Sequence, residues 1–387
     1  MKILADENIA LVHEAFSRFG ELRTLPGRAI SAAALQDVDA LLVRSVTRVD
    51  EALLEGSPCR FVGTATSGSD HVDIPALLQR GISFADALGC NADSVVDYVL
   101  SALARLSLSS GEDWRKRSVG IVGCGAVGSR LAQRLLALGI QPLIHDPFLN
   151  LAESHPLVSG MTSLEQVLGQ DIVSLHVPLT TTGPWPTFHM LNHESLCLLR
   201  PNAILINSAR GGVVDNQALL ERLQQDPSLS VVLDAWEGEP IINPALYARV
   251  RLGTPHIAGY SVRGKVQGTR MIQAAFCRTF GLEPDVALFS LDTRELAAPA
   301  DSTLDEDRQF LDYLLRAYDI RTDHHQLGVS VGSAAAGPCF DALRRNYPLR
   351  HEFSQYRLRP DAGLSSRLEQ ALKAVGFAVG VGADAAQ

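Results

Sequence analysis

Three polar residues stand just beyond short apolar runs, and their side chains suit proton transfer next to a bound carboxylate. Arg210 follows Ala203–Asn207 in the stretch AILINSARGGVVD. A guanidinium fork there could hold a carboxylate by two parallel hydrogen bonds. The run Val231–Leu233 gives way abruptly to three acids, Asp234, Glu237 and Glu239, in DAWEGEP, and His256 lies within TPHIAGY. An imidazole titrates near neutral pH and can accept a hydroxyl proton. A carboxylate on its other nitrogen would fix the tautomer and stabilise the imidazolium, and Glu239, rather than Glu237, is assigned that role.

A second constellation suits a dinucleotide. Ser118–Val122 is an apolar run that leads directly into Gly123, Gly125 and Gly128 with G-x-G-x-x-G spacing. The first glycine permits a tight turn, the second lets the backbone approach a pyrophosphate, and the third lets helix and strand pack closely. Free N–H groups at Ala126 and Val127 would face the anion. Leu131, Leu135, Leu136 and Leu138 give the following helix an apolar face, and Pro142–His145 supplies a second strand that ends at Asp146. An acid at that point accepts hydrogen bonds from a ribose diol and repels a 2′-phosphate, so NAD is expected over NADP. The loop His176–Thr180 should border the same ligand.

These residues need a scaffold of parallel strands, because ligands on such sheets gather at the strands' carboxyl ends. Residues 1 to about 90 alternate short apolar runs (Lys2–Ala5, Leu22–Leu25, Ala40–Arg44, Phe61–Thr64, Ile82–Ala85) with helical patterns at Leu11–Phe19 and Pro75–Arg80. That alternation predicts an α/β fold with helices on both faces of the sheet. Two strand tails, Val43-Arg44-Ser45 and Gly63 to His71, offer small hydroxyls that suit an anion or serve only as turn chemistry. Asn91–Leu108 predicts a long helix crossing into a Rossmann-type, doubly wound nucleotide domain whose further strands are Ile172–Val177, Ala203–Asn207 and Ser230–Leu233. Gly268–Phe280 predicts a helix returning to the first, flavodoxin-like domain. The boundaries are then 1–95 with 258–285 for the substrate domain and 96–257 for the nucleotide domain.

Residues 286–387 predict a small α+β domain with strands at Val286–Leu291, Leu327–Val331 and Glu352–Leu358 and helices at Leu304–Tyr318, Phe340–Tyr347 and Ser366–Gly376. The region holds no catalytic motif, so it is expected to pair with a copy of itself as a homodimer. Arg344, Arg345 and Arg350 could reach across that dimer to a phosphate or form a solvated basic face.

The 387 residues are 46% apolar and 20% charged, with a formal charge of −9. That balance, without a basic run, argues against a nucleic-acid partner. Met1–Asp6 reads as a strand rather than a leader, and no apolar run reaches the ~20 residues that span a bilayer. Six cysteines without C-x-x-C spacing read as free thiols of the cytoplasm. No metal site is expected: His324 and His325 lack companions, and His189 and His193 lack the H-E-x-x-H arrangement.

The pieces GIVGCGAVG, HVPLT, INSARGGVVD, DAWEGEP and TPHIAGY, in this order, resemble the D-isomer-specific 2-hydroxyacid dehydrogenase family over roughly residues 1–285. Within it, VRSVT, FVGTATSGSDHVD, GCNADSVVDYV and HIAGYSVRGKVQGT resemble the branch that oxidises 4-phospho-D-erythronate in pyridoxal phosphate synthesis. The resemblance implies hydride transfer from C2 to NAD, with Arg210 and Glu239 in the active site and His256 handling the proton. It also implies cofactor contacts at Asp146, Val177 (through its backbone), Ser208, Ala209, Arg210, Asp234 and Gly259, and substrate contacts at Ser45, Thr66 and Tyr260. Two competing readings are a 3-phosphoglycerate dehydrogenase and a non-enzymatic NAD sensor resembling a corepressor.

Overall fold

The computed structural model describes residues 1–149, 155–285, 287–298, 304–358 and 364–379. The chain divides into two compact units, Met1–Ala92 with Tyr260–Asp292, and Asp93–Gly259 with Thr293–Gln387.

In the first unit the described strands are β1 (Lys2–Asp6), β2 (Glu21–Leu25), β3 (Ala40–Val43), β4 (Phe61–Thr64) and β5 (Ser83–Ala85). They form one parallel sheet in the order β2-β1-β3-β4-β5. Side chains alternate across it as the two-residue period requires. Leu4, Leu41, Val43 and Val62 enter one core, and Ile3, Ala5, Ala40, Leu42 and Phe61 enter the other. The second core is closed by Ile272, Phe276 and Cys277 of the helix Val262–Phe280, so the late segment packs on the early sheet. Phe276 meets Phe16 and Phe61 edge-on at 5.4 and 5.7 Å.

That helix begins six residues before the expected start at Gly268, because Ser261 caps it by accepting from Gly264 N–H. The glycines that obscure its start in sequence serve packing: a β-carbon on Gly268 would lie 3.0 Å from the Ala65 carbonyl oxygen.

In the second unit β6 (Val119–Val122), β7 (Leu143–His145), β8 (Ile172–Leu175), β9 (Ile204–Asn207), β10 (Ser230–Leu233) and β11 (Leu252–Gly253) form a parallel sheet in the order β11-β10-β9-β8-β6-β7. The order reverses next to β6, which is where an open α/β sheet leaves a crevice at the strands' carboxyl ends. β6, β8 and β9 are buried throughout, as strands covered on both faces must be. The helix Ala92–Ser110 contributes buried Tyr98, Val99 and Leu103.

Compactness does not separate the C-terminal segment from this fold. Leu327 and Phe340 enter the same core as Leu205, Val231, Trp236 and Ile242. A small parallel sheet, β12 (Arg294–Leu296), β13 (Tyr356–Leu358) and β14 (Ala378–Val379), is ordered β12-β13-β14. Four helices accompany it: Glu306–Ala317, Arg321–Ser330, Ala336–Arg345 and Ser366–Ala374.

Two expectations fail here. Leu327–Val331, read as a strand, is mostly the end of a helix: Leu327 and Ser330, three apart, are buried while Val329 between them is exposed, a helical and not an alternating pattern. At Val286–Leu291 the chain makes a 3₁₀ turn, Ala287–Phe289, with residue 286 outside the described set.

Arg350 is neither solvated nor turned outward. It is buried, donates to Ser94 Oγ and to the Ala258 carbonyl, and lies over the Tyr318 ring at 4.5 Å. No helix among the described residues is long and apolar enough to cross a membrane.

Phe276→Ala removes the ring shared by the aromatic cluster of the first unit and is expected to destabilise that unit by about 3–5 kcal/mol, measured by denaturant unfolding.

Candidate active site and nucleotide cradle

The site begins at the strand ends of the second unit. After β6 the chain turns at Gly123, whose φ of +87° favours glycine, and a β-carbon there would stand 2.7 Å from the His176 carbonyl oxygen. One on Gly128 would collide with the Gly123 carbonyl. Nothing lies within 4 Å of where a β-carbon on Gly125 would be, and Gly125 is the N-cap of the helix Ala126–Ala137. The first N–H groups of that helix, at Ala126 and Val127, have no intrahelical partner and stand beside that open space.

Asp146, just past β7, accepts from Cys124 N–H at 2.8 Å and from Phe148 N–H at 3.1 Å. The same carboxylate that could receive a ribose therefore also shapes the glycine turn. At the end of β8, burial pushes the His176 imidazole down to about 3, so it adds no positive charge, and its Nε2 pairs with Ser174 Oγ at 2.9 Å. Val177 packs against the core, leaving only its backbone for a ligand. Past β9, the Ser208 hydroxyl is buried with no hydrogen-bond partner among the described residues. An orphaned hydroxyl, an open glycine turn and a strand-end acid along the carboxyl edge of one sheet fit a dinucleotide.

The proton-handling residues meet on two neighbouring loops. His256 Nδ1–H donates to Glu239 Oε2 at 2.8 Å, and Trp236 N–H donates to Glu239 Oε1 at 2.6 Å. Burial opposes the charge of Glu239, yet His256 and the Trp236 N–H together hold its carboxyl below the ordinary glutamate range. Glu237 turns elsewhere, to His189 Nε2 at 2.7 Å. Arg210 reaches the same neighbourhood through its backbone: a β-carbon on Gly211 would collide with Trp236, so the turn after β9 is pressed against the loop that carries Glu239. Asn207 Nδ2 holds that turn by donating to the Arg210 carbonyl at 2.9 Å.

His256 has a φ of +56°, the left-handed region that costs a non-glycine residue about 1–3 kcal/mol. Asp234 over-determines it. Its carboxylate is nearly fully buried and accepts from Thr254 Oγ1 at 2.6 Å, Ile257 N–H at 2.7 Å and Ala258 N–H at 2.8 Å. The Asp234 carbonyl takes His256 N–H at 2.9 Å. Tyr98 extends the chain, donating its hydroxyl proton to Thr254 Oγ1 at 2.8 Å. Gly259 follows directly. Sequence reading missed Thr254 and Tyr98, which are 156 positions apart and share no local pattern; the one signal was a threonine directly after a strand.

In the first unit, Ser45 is exposed just past β3. Thr66 shares a hydroxyl contact with Thr64 at 2.7 Å and donates to the Gly68 carbonyl at 3.0 Å. Tyr260, beside the cap of the helix Val262–Phe280, has Lys265 Nζ 5.2 Å from its ring centre. His189, Asp215 and Glu237 bring ligand-type atoms within 4.8 Å of one another, a grouping that sequence spacing did not suggest. Its carboxylates already serve the backbone, Asp215 capping the helix Asn216–Gln225 and Glu237 accepting from Asn216 N–H.

Comparison with known proteins agrees with this geometry. Residues 102–258 match the NAD-binding domain of D-isomer-specific 2-hydroxyacid dehydrogenases, and residues 292–376 match a domain of unknown function, DUF3410. The chain is 47% identical to the erythronate-4-phosphate dehydrogenase of Azotobacter vinelandii and 45% identical to that of Cellvibrio japonicus, in each case over 97% of this chain and 99% of the relative. Among solved structures, the NAD⁺-bound 3-phosphoglycerate dehydrogenase of Entamoeba histolytica superposes with a TM-score of 0.60 at 21% identity, covering 73% of this chain and 95% of that one.

Glu239 has a depressed pKa in the folded state, so the unfolded chain binds its proton first on acidification. The stabilisation is complete above the ordinary glutamate value and is lost as pH falls through the depressed one. Glu239→Gln should therefore lower the melting temperature most near neutral pH, with the difference from wild type closing in acid.

Proposed function

This chain belongs to the D-isomer-specific 2-hydroxyacid dehydrogenase family and, within it, to the erythronate-4-phosphate dehydrogenases, and we propose on that footing how its residues carry out the reaction. The substrate is 4-phospho-D-erythronate, oxidised at C2 to the 2-oxo acid, a step in pyridoxal phosphate synthesis. The observation that carries the mechanism is the His256–Glu239 pair on a clamped loop. Bound NAD supplies the hydride acceptor.

Because Nδ1–H is committed to Glu239, His256 presents the lone pair of Nε2 and can take the C2 hydroxyl proton. Glu239, ionised and half-buried, stabilises the imidazolium that results. Arg210 receives the substrate carboxylate, and the stiffness of its turn limits the orientations that carboxylate can take. Asp146 favours a ribose with a free 2′-hydroxyl. The Gly123–Gly128 turn with Ala126 and Val127 takes the pyrophosphate, and Val177, Ser208, Ala209, Asp234 and Gly259 complete the cofactor contacts. Ser45, Thr66 and Tyr260 are the proposed substrate ligands.

A 3-phosphoglycerate dehydrogenase shares the chemistry, but the 45–47% identity over nearly the whole chain supports the erythronate ester. The six free thiols support a reducing, cytoplasmic setting. Exposed Val329 and Leu349 support pairing of the C-terminal segment with a second copy.

Purified protein with NAD and 4-phosphoerythronate should form NADH, and faster than with 3-phosphoglycerate; no NADH from either would leave the sensor reading standing. His256→Asn should reduce kcat by about 10²–10⁴-fold with NAD affinity retained, as read by NADH absorbance and by calorimetry. Sedimentation should give a dimer that Leu349→Glu dissociates.

A further inference from the structure

A cavity of about 450 Å³ opens in the second unit at the amino ends of its strands. Ile204, Ser230 and Leu252, the first residues of β9, β10 and β11, line it. The carboxyl ends of those same strands carry Arg210, Asp234 and His256, so this cavity is not the nucleotide crevice.

Its chemistry is one-sided. Arg105, Arg117, Arg251 and Arg321 line it, with Glu112 as the opposing charge. Arg105 and Arg321 share one carboxylate, that of Asp319, at 2.6 and 2.8 Å. Among the described residues, Arg117 Nη2 donates to a neutral oxygen, the Asn202 carbonyl, at 2.6 Å, and Arg117 forms no ion pair. Arg251 is exposed and forms no ion pair among the described residues. Positive charge is therefore in excess at the mouth.

Two of the lining residues also carry a buried donor with no acceptor among the described residues: the indole Nε1–H of Trp114 and the Nε–H of Arg105. Trp114 is 1% exposed, and neither group can itself accept a hydrogen bond. Unsatisfied buried donors are rare in folded proteins and call for an explanation. An acceptor-rich, negatively charged occupant complements the guanidinium groups that surround it.

We propose that this cavity is a second ligand site, for a small oxyanion carrying two or more charges. The shared chemistry covers phosphate esters and polycarboxylates. The site also touches the catalytic loop along the chain. Leu252 lines the cavity, and His324, another lining residue, accepts from Gly253 N–H at 3.0 Å. Thr254 and His256 follow within a few residues, so a ligand held here bears on the strand from which the Asp234 clamp is built.

The test is calorimetric titration of the full chain, saturated with NAD, with inorganic pyrophosphate and separately with citrate. Saturable binding of at least one is expected, weakened tenfold or more by Arg251→Glu, with Trp114→Phe as a second variant whose fold is checked by its melting curve. Arg251 is exposed and outside the catalytic machinery, so the Arg251→Glu protein should fold and retain its turnover without added anion. Preference for pyrophosphate identifies the phosphate class and preference for citrate the carboxylate class. Binding of neither anion, or equal binding by wild type and Arg251→Glu, overturns the proposal.

Discussion

A single buried carboxylate, that of Asp234, holds the catalytic geometry. Placing an ionised acid at 1% exposure is costly unless its oxygens are occupied, and here a hydroxyl and two amide N–H groups occupy them. All three donors come from Thr254 to Ala258, on either side of His256. Because the donors flank a residue in the left-handed region, the clamp and the strain define each other. Neither the conformation of His256 nor the burial of Asp234 is favourable alone, and together they fix the plane in which the imidazole meets Glu239.

The loop is gripped from its other side as well. Arg350, from the C-terminal segment, donates to the carbonyl of Ala258, whose N–H is already committed to Asp234. Both backbone polar groups of one residue are thus held, the N–H by Asp234 and the carbonyl by Arg350 together with the Ser94 hydroxyl. The stacking of Arg350 on Tyr318, and the Asp323 carboxylate that accepts from the Tyr318 and Tyr347 hydroxyls at 2.6 and 2.9 Å, give the guanidinium a buried setting rich in acceptor character.

Features carried by a local period or spacing were legible in the chain. The glycine turn with its flanking strand and helix, the run of short buried strands, and the polar residues just beyond them all announce themselves within a few positions. Spacing alone does not separate Glu239 from Glu237 as the partner of His256, and the structure makes that pairing with Glu239 at 2.8 Å. What sequence hid depended on partners distant in the chain. Gly264 and Gly268 look like helix breakers until the backbone they pack against is known. Val329 and Val331 suggest a strand until burial shows a helical face. That Asp234 also clamps the loop is hidden because nothing local reveals that Thr254, Ile257 and Ala258 donate to its carboxylate, and the burial of Arg350 is hidden because Ser94 and Ala258 are far off in sequence.

The placement of Phe340 and Leu327 in the core beneath the nucleotide sheet limits how this polypeptide could be shortened. A gene truncated ahead of residue 293 would encode every group assigned to proton transfer, yet would strip Leu327 and Phe340 from the core they share with Trp236 and Ile242 and leave the Ala258 oxygen without its cation. The tail acts as structural ballast for the nucleotide fold, and its loss would be felt first as disorder in the loop that needs order most.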